Sequence, residues 1–440
     1  MVELCGIVNR YPTVILAKIA CGPQPRAAAT VASVDRKGRL GMEQSGEIAI
    51  LKTLLDHVNN KTTAMRDAPW RNEVSAYSCP ERHALEERVL IRGRPIVMGL
   101  SCDWPDVGSY KTDDFAGVPI LVVRGRDNKL RGFLNSCRHR GAKVVDGCGK
   151  SRAFKCPYHG WTYGNDGTLR GIPEEETCFP GVREERLGLT PLPLAEKYGM
   201  VWVLPTPSQD QSCELNIDPW LQGVEADLAH WKLDTYHFHA RHVHYEEMNW
   251  KLLVDTFFEG YHFGFLHQET LRDILIHNVC DFHAFGPNFR LVYPRTKITR
   301  LKDKPESEWD LMWNSTMVYS MFANTVFSPQ GDHMEIFRMF PVDGRPDRAV
   351  METSLYIPKP AANEDEKRHW DANLALAIDV ITNEDFPVSR TMQIGFGSGA
   401  QTHVVYGRNE PGLAHFHQEI REALGLPVEG GTVQARDRAG

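Results

Sequence analysis

The N-terminal part of the chain shows one helical pattern of hydrophobic positions. Residues 1–41 have weak periodicity and many Ala, Gly and Pro residues, and Met42, just before the first well-patterned segment, is a candidate natural start. After Met42, apolar residues recur three or four positions apart: Ile48, Leu51, Leu55 and Val58. This spacing predicts one amphipathic helix that begins near Ser45 and ends before the Pro/Arg-rich connection around Pro69.

Between residues 74 and 205 the pattern changes to short β-type runs. Three of these runs are typical of strands, at 119–124, 130–135 and 200–204. Turn sequences lie among them, notably Asp127-Asn128 and Asn165-Asp166-Gly167. Short apolar runs bounded by turn residues predict a small antiparallel β domain.

The C-terminal part, residues 206–440, mixes long helical patterns with strand-like runs at 334–340 and 351–357. This mixture predicts an α+β arrangement. We therefore divide the chain into an N-terminal extension with one helix (1–73), a β domain (74–205) and a larger α+β domain (206–440).

The composition excludes several classes of protein. Hydrophobic residues form 42% and charged residues 24% of the 440 residues, which is typical of a globular chain and not of a disordered one. The formal net charge of -7, without any Lys/Arg run, argues against a nucleic-acid partner. The longest apolar stretch near the start, residues 13–21, contains Lys18 and is too short to span a bilayer. We expect no membrane insertion and a cytoplasmic location.

Ten cysteines are too sparse for a disulfide framework, so their spacing must indicate their role. Two segments each pair one Cys with one His: Cys137-Arg138-His139-Arg140-Gly141 and Cys156-Pro157-Tyr158-His159-Gly160-Trp161. Four unrelated side chains are one alternative, and a structural zinc site is another, although zinc sites usually do not take a mixed pair from each half. Mixed pairs suit a cluster in which both thiolates bind one iron and both imidazoles bind the other.

These two segments, CRHRG and CPYHGW, resemble the ligand loops of Rieske iron–sulfur domains, particularly those of Rieske non-haem iron oxygenases. The resemblance implies a [2Fe–2S] cluster with Cys137 and Cys156 on one iron and His139 and His159 on the other. Neutral imidazoles in place of two thiolates remove negative charge and make such a cluster easier to reduce. We therefore expect an electron carrier in the β domain. Cys148, between the two loops, receives no ligand role from the resemblance.

A second informative stretch, residues 249–267, combines aromatic with ionisable residues. Asp255, Glu259 and His262 are spaced by four and three, which predicts one polar stripe on a helix. His267 follows His262 by five residues, about 140° around a regular helix, so a shared ligand face requires a bend. Two glycines in the stretch, each costing about 1 kcal/mol in a helix interior, favour such a distortion. The alternative is a helix with two hydrogen-bonded core histidines.

The same stretch resembles the mononuclear-iron motif of Rieske oxygenases, which implies that His262 and His267 bind iron. Such iron sites typically add one carboxylate. The segment Glu384-Asp385, with Gln393 eight positions after the Asp, resembles the family's third-ligand segment. Asp385 is therefore the predicted third ligand and Glu384 the alternative, although Asp385 read alone suits a helix start.

The helix before this segment has its own start signal. Asn363 with Glu366 resembles a capping box, which predicts a helix start at this point. The buried face of that helix is predicted from helical spacing: Trp370, Leu374, Ile378 and Ile381.

Four histidines crowd into one short segment: His237, His239, His242 and His244. Their alternation predicts pairs on strand faces, and no carboxylate or cysteine partner is close in sequence. We predict that they are solvated or support another site, and that they do not form a metal centre.

The resemblance covers roughly residues 74–400 and implies both a fold and an activity. The fold is a small antiparallel β Rieske domain followed by a helix-grip catalytic domain with a curved antiparallel sheet. The activity is O₂-dependent hydroxylation or oxidative demethylation of a small organic substrate, with aromatic compounds expected first. Because no G-x-G-x-x-G follows a strand, electrons from NAD(P)H are expected to arrive through a separate reductase or ferredoxin. The alternatives are an electron-transfer protein with an inactive C-terminal domain and a zinc-stabilised binding module.

Glu259 departs from the pattern of many aromatic-ring dihydroxylating members, which carry Asp three positions before the first iron-binding His. This difference leaves dioxygenation, monooxygenation and demethylation all open. Glu259 precedes His262 by one helical turn and can accept a hydrogen bond from its free ring nitrogen. The resemblance implies that it also bridges to a cluster histidine of a neighbouring subunit, His159 before His139, within a homotrimer with or without a small β subunit.

Overall fold

The computed structural model describes residues 44–185, 187–209, 213–342 and 344–428. The candidate start at Met42 lies outside the described residues. The predicted N-terminal helix is α1 (Gln44–Asn60). The hydrophobic residues buried on one side of this helix are Ile50, Leu51, Leu54 and Leu55. The elements that follow it are β1 (Trp70–Glu73), α2 (Ser75–Ser78), α3 (Pro80–Glu86) and a π-helical turn (Glu87–Arg92).

The predicted β domain consists of three small antiparallel sheets. Its elements are β2 (Ile96–Leu100), β3 (Ser109–Asp113), β4 (Ile120–Arg124), β5 (Leu130–Leu134), β6 (Cys148–Lys150), β7 (Ala153–Lys155), β8 (Thr162–Gly164), β9 (Leu169–Gly171), α4 (Glu175–Cys178), β10 (Pro191–Leu192), β11 (Leu194–Lys197) and β12 (Met200–Val203). The strand orders are β10-β5-β4-β3-β6, β11-β12-β2 and β7-β8-β9. The three strands predicted from apolar runs correspond to β4, β5 and β12. Asn128, in the predicted turn between β4 and β5, has a positive φ of 63°, which Asn tolerates better than most residues.

The C-terminal part is built on one seven-stranded antiparallel sheet, which confirms the α+β prediction. Its elements are α5 (Asp218–Leu221), α6 (Glu225–Trp231), β13 (His237–Glu246), α7 (Trp250–Asp255), β14 (Asp281–Phe285), β15 (Asn288–Pro294), α8 (Leu311–Asn314), β16 (Ser315–Met321), β17 (Thr325–Pro329), β18 (Met334–Val342), β19 (Arg345–Ile357), α9 (Glu364–Val380), α10 (Phe386–Gly397), β20 (His403–Tyr406) and α11 (Pro411–Ala423). The strand order is β13-β19-β18-β17-β16-β15-β14, and β20 pairs separately with β1.

Both faces of the large sheet are buried, because successive side chains of a strand point to opposite faces. On one face, Ile336 packs in a core with residues of α1 and α6. On the other face, Phe337 packs in a core with residues of α7 and α11. The ionisable stretch around residue 262 follows α7, so the second core lies beside it. A register shift between Phe238 and Ala240 locally bends the edge strand.

The helix start predicted at Asn363 is confirmed, but the returning bond of the capping box goes to the residue before Asn363. The side chain of Asn363 accepts a hydrogen bond from the backbone N–H of Glu366 at 2.9 Å. The carboxylate of Glu366 accepts from the N–H of Ala362, also at 2.9 Å. Trp370 and Leu374 are buried as predicted, so local capping and periodicity together fix the direction of the helix that leads to Asp385.

A buried cation joins the β domain to the large sheet. Arg338 on β18 donates to Asp113 on β3 at 2.6 Å and to Glu352 on β19 at 2.8 Å, and all three side chains are 2% exposed. Arg338 also donates to the carbonyl of Val97 on β2 at 3.1 Å. Burial alone would raise the pKa of Glu352, but Arg338, Lys111 and Arg241 lower it to about 2. The apolar contact between the two parts therefore contains a buried and fully paired cation.

Within the described ranges, the structure contains no helix with the length and apolar character required to cross a bilayer.

Candidate functional site

The two Cys/His loops of the β domain fold in the same way. In each loop the carbonyl of the cysteine accepts a hydrogen bond from the glycine four positions later, Gly141 onto Cys137 and Gly160 onto Cys156. Both glycines have positive φ, 81° and 75°, which a residue with a side chain rarely adopts. The tight turns bring the rings of His139 and His159 to a centroid separation of 4.7 Å.

The donor atoms of these loops suit a buried inorganic cluster. Cys137 and Cys156 are each 3% exposed, and Nδ1 of His139 is buried without a hydrogen-bond partner among the described residues. Burial, followed by the neighbouring charges of His159 and Arg140, lowers the pKa of His139. A neutral imidazole with one orphaned nitrogen is the form that binds a metal. His159 is exposed, so its ring can reach a partner molecule.

The zinc alternative fits this geometry poorly. Ligand atoms of a tetrahedral zinc site lie about 3.3–3.8 Å apart, given Zn–N near 2.0 Å and Zn–S near 2.3 Å. In the described residues, only His262, His267 and Asp385 form a set of His, Cys, Asp or Glu ligand atoms all within 4.8 Å of one another. No three ligand atoms of the four Cys and His residues in the loops form such a set, although a single tetrahedral ion would bring all four together.

Tyr163 on β8 contacts one of the cysteines, and the sequence reasoning missed it. Its hydroxyl lies 3.2 Å from Sγ of Cys137 and accepts from the backbone N–H of Arg138 at 2.9 Å. Burial, together with the bond to Cys137, raises the pKa of Tyr163, so the hydroxyl keeps its proton and can donate it to sulfur. Hydrogen bonds to cluster sulfurs help to set the reduction potential.

Replacing Tyr163 with Phe is expected to lower the reduction potential of a cluster at these loops. A net hydrogen-bond contribution of about 0.5–1.5 kcal/mol corresponds to about 20 to 65 mV for one electron. Redox titration followed by visible absorption would measure the shift. Tyr158→Phe, at an exposed tyrosine in the neighbouring loop, is the matched control. Equal potentials in Tyr163→Phe and the wild-type protein would contradict the role of this hydroxyl.

The second candidate site follows α7, which ends at Asp255. The next residues form turns rather than a helix, so His262 and His267 are not constrained by helical spacing. Their Nε2 atoms lie 3.1 Å apart, and Oδ1 of Asp385 lies 3.6 Å and 3.5 Å from them. Neighbouring ligands of an octahedral ion at about 2.1 Å are roughly 3 Å apart, so these three atoms match a 2-His-1-carboxylate set.

The prediction of one helical stripe is wrong, because the helix stops before the stripe is complete. Asp255 does not join His262 and His267. Its carboxylate accepts hydrogen bonds from the hydroxyl of Tyr77 at 2.6 Å and from Nε2 of His417 at 2.9 Å. Glu259 instead faces His262. The predicted break in the helix is confirmed. Gly264 packs directly against the ring of His277, and a Cβ at this position would lie only 2.9 Å from that ring.

Each histidine of the set is held from behind by a glutamate. Nδ1–H of His262 donates to Oε1 of Glu259, whose other oxygen accepts from the backbone N–H of Tyr261. Nδ1–H of His267 donates to Oε2 of Glu384 at 2.5 Å. With both Nδ1 atoms donating to carboxylates, the two Nε2 atoms remain 3.1 Å apart beside Asp385. A proton or a metal ion between them relieves the contact of two nitrogen acceptors.

The charge balance of the set also favours a cation. Burial lowers the pKa of His267, but Asp385 and Glu384 outweigh it and raise that pKa overall. A proton or a metal ion can supply the positive charge that the two carboxylates favour, and metal binding releases the proton. The residues present therefore fit a mononuclear divalent ion.

Asp385 comes from a π-helical turn, Ile381–Asp385, inserted between α9 and α10. The Asp385 side chain is 7% exposed and makes no capping bond to α10, so it does not act as a helix-start acid. Single π turns often mark functional sites, because the extra residue redirects the side chains around it. Here the turn aims Asp385 at the histidines and places Glu384, the alternative ligand, behind His267.

The histidine-rich segment forms strand β13 and does not assemble a metal site among the described residues. His244 is 8% exposed, and burial lowers its pKa to about 4, so of the two predicted roles solvation does not apply to this histidine. His239 has a carboxylate partner that is distant in sequence. Asp371 on α9 lies 2.9 Å from Nε2 of His239, although 132 residues separate them.

Two family models match the chain. The model described as Rieske [2Fe–2S] domain matches residues 95–190, and the model described as ring hydroxylating alpha subunit (catalytic domain) matches residues 233–426. The first contains both Cys/His loops, and the second contains His262, His267 and Asp385.

Relatives match across both parts. Choline monooxygenase of Beta vulgaris is 26% identical over 361 residues, which are 81% of this chain and 76% of that protein. The carnitine monooxygenase oxygenase subunit of Escherichia coli K12 is 26% identical over 342 residues, 75% of this chain and 87% of that subunit. A crystal structure of the quaternary ammonium Rieske monooxygenase CntA with its substrate L-carnitine shares the fold, with a TM-score of 0.67, 21% identity, and coverage of 81% of this chain and 96% of that chain.

Proposed function

Because this chain belongs to the Rieske-type ring-hydroxylating oxygenase alpha subunits, we propose that it is the oxygenase component of a monooxygenase for a small quaternary ammonium compound. The observation that carries the proposal is the match over 81% of the chain to choline monooxygenase, a relative that spans both metal-binding parts. The aromatic substrate expected from the sequence has no support among these relatives, whose names give choline and carnitine.

The charges of the site favour a cationic substrate. Three carboxylates, Glu259, Glu384 and Asp385, surround the two histidines and outnumber the two positive charges of a ferrous ion. One aromatic ring lies beside both histidines: the ring of Phe263 is 4.9 Å from that of His262 and 6.0 Å from that of His267. Faces of aromatic rings attract quaternary ammonium groups, so the surroundings suit a cation better than an aromatic acid.

We propose the following roles for the site residues. Cys137 and Cys156 hold one iron of a [2Fe–2S] cluster, and His139 and His159 hold the other. His262, His267 and Asp385 hold a mononuclear iron. When bound, the cluster supplies electrons and the mononuclear iron activates O₂. The His267 side chain is 2% exposed, so bulk water has little access to this side of the site.

The overall reaction balances with an external electron donor. A C–H bond of the substrate, one O₂, two electrons and two protons give a C–OH group and one water. Where the hydroxylated carbon is bonded to the quaternary nitrogen, the C–N bond can then break to leave a carbonyl compound and a tertiary amine. We propose NAD(P)H as the electron source through a separate reductase or ferredoxin, and a homotrimer as the working assembly.

The substrate class can be tested by oxygen uptake with a surrogate reductase and NADH. Choline, carnitine and glycine betaine are expected to give substrate-dependent uptake and a hydroxylated or cleaved product by mass spectrometry. Naphthalene and benzoate serve as aromatic comparators, and Asp385→Ala protein gives the background. Turnover of the aromatic compounds alone would contradict the proposed substrate class without affecting the family assignment.

The metal content tests the site assignment separately from the substrate. We expect about three irons and two acid-labile sulfides per chain, with a red-brown colour. Zinc without sulfide would contradict the proposed roles of all seven ligands.

A further inference from the structure

The two histidines of the mononuclear site differ in where their supporting glutamates originate. Glu259 lies three residues before His262 in the same loop, so chain connectivity alone keeps the pair together. Glu384 lies 117 residues after His267, yet its Oε2 is 2.5 Å from Nδ1 of that ring. Only the tertiary fold brings this second pair together.

Glu384 and Asp385 approach the same imidazole from opposite sides. Oε2 of Glu384 contacts Nδ1 of His267, while Oδ1 of Asp385 lies 3.5 Å from its Nε2. The His267 side chain is 2% exposed, and those of Glu384 and Asp385 are 21% and 7% exposed. Two consecutive residues of the π turn therefore hold one buried ring between them.

Glu384 is itself held in place. The hydroxyl of Thr270, three residues after His267, donates to Oε2 of Glu384 at 2.9 Å. The same oxygen thus joins the loop of His267 to the turn of Asp385 through two hydrogen bonds. A carboxylate ligand would direct an oxygen toward the two Nε2 atoms. Oε2 of Glu384 instead accepts hydrogen bonds from Nδ1 of His267 and from the hydroxyl of Thr270.

We propose that Glu384 is a positioning residue for His267 and not a metal ligand. By accepting the Nδ1 proton it fixes the tautomer in which the Nε2 lone pair points into the site, and it makes that nitrogen a stronger donor. It also ties the second histidine to the turn that carries the third ligand. This inference rests on the proposed mononuclear site and is independent of the substrate.

The affinity of the full-length protein for Fe²⁺ provides the test, measured by competition with a chelator while the cluster remains loaded. Glu384→Ala is expected to weaken binding about 10- to 100-fold, as is usual when a supporting partner of a metal-bound histidine is removed. Glu384→Gln, whose amide oxygen still accepts the Nδ1 proton, is expected to restore most of this affinity. Thr270→Val should shift affinity in the same direction as Glu384→Ala, but by less.

Matched controls separate positioning from charge and from folding. Asp379→Asn removes an exposed negative charge from α9, close in sequence, and is expected to leave the affinity unchanged. The EPR signal of the nitric oxide complex of the ferrous site should change shape in Glu384→Ala and return to the wild-type shape in Glu384→Gln. The visible spectrum of the cluster, and the melting temperature measured without mononuclear iron, should be equal in all variants.

Several results would overturn the inference. Iron loss in Glu384→Ala as complete as in Asp385→Ala, without rescue by Gln, would make Glu384 a ligand. Wild-type affinity and EPR shape in Glu384→Ala would remove its role altogether. A fall in the melting temperature of Glu384→Ala protein without mononuclear iron would make the residue merely structural. Retention of iron by Asp385→Ala would instead refute the proposed metal site itself.

Discussion

Asp385→Ala protein is expected to contain little mononuclear iron and to form product only at the background rate, while its cluster spectrum is unchanged. Asp385 is the single carboxylate whose oxygen lies within 3.6 Å of both Nε2 atoms among the described residues. Without it, two imidazoles remain as protein ligands, and the loss of affinity should exceed the roughly 100-fold that removal of a supporting residue can cause. Iron analysis, product formation and visible absorption measure the three quantities.

The control for this experiment is the neighbouring acid. Glu384→Ala should retain more iron than Asp385→Ala at the same total iron concentration. Iron loss in Glu384→Ala combined with retention in Asp385→Ala would show that the third ligand lies one residue earlier. Loss of the cluster colour in Asp385→Ala would indicate a general folding defect.

Glu259→Gln protein is expected to keep both metal centres and a reducible cluster but to lose most product formation, by about 10- to 100-fold. The carboxylate is 14% exposed in the chain and holds Nδ1 of His262. A glutamine preserves the acceptor for that hydrogen bond, so iron is retained. It removes the charge through which, in the proposed trimer, Glu259 joins His262 to His159 of the neighbouring subunit. Stopped-flow reoxidation of the reduced cluster by O₂ and substrate measures the step that should slow.

Glu269→Gln, at an exposed acid in the same loop, is the matched control and should behave as the wild-type protein. Wild-type product formation by Glu259→Gln would refute the bridging role. Full activity of a monomer isolated by size-exclusion chromatography would refute it as well, because the bridge requires a second subunit.

The features predicted correctly from sequence are those whose cause is local. Strands β4, β5 and β12 follow from apolar runs bounded by turns, and the start of α9 follows from Asn363 and Glu366. The two Cys/His loops were also recognisable, because each loop carries its own cysteine, histidine and turn-forming glycine within five residues.

The features that sequence reasoning missed depend on contacts between distant segments. Helices α2 and α11 supply Tyr77 and His417 to Asp255, and no periodicity could reveal a network that spans more than 300 residues. The polar stripe after α7 was predicted wrongly because spacing alone does not show where a helix ends. The burial of His244 also depends on a distant contact, because the large sheet and Phe386 at the start of α10 cover it.

The π turn explains why the acidic pair could not be resolved from spacing alone. In a regular helix consecutive side chains differ by about 100°, so either Glu384 or Asp385 could have faced the histidines. In the structure Glu384 contacts Nδ1 of His267 and Asp385 lies near its Nε2. The two acids could be told apart only when the position of His267 beside the turn was known.

The buried ion pairs of Arg338 limit the exchange of domains between this protein and its relatives in chimaeric proteins. The cation and Glu352 belong to the large sheet, whereas Asp113 and the carbonyl of Val97 belong to the β domain. A chimaera that imports an electron-transfer module lacking a carboxylate at position 113 would leave a buried positive charge short of one counter-ion. Such losses cost about 3–5 kcal/mol, a large fraction of the stability of an ordinary domain. The β domain therefore cannot be exchanged freely between relatives. A functional chimaera should take Asp113, Arg338 and Glu352 from the same parent.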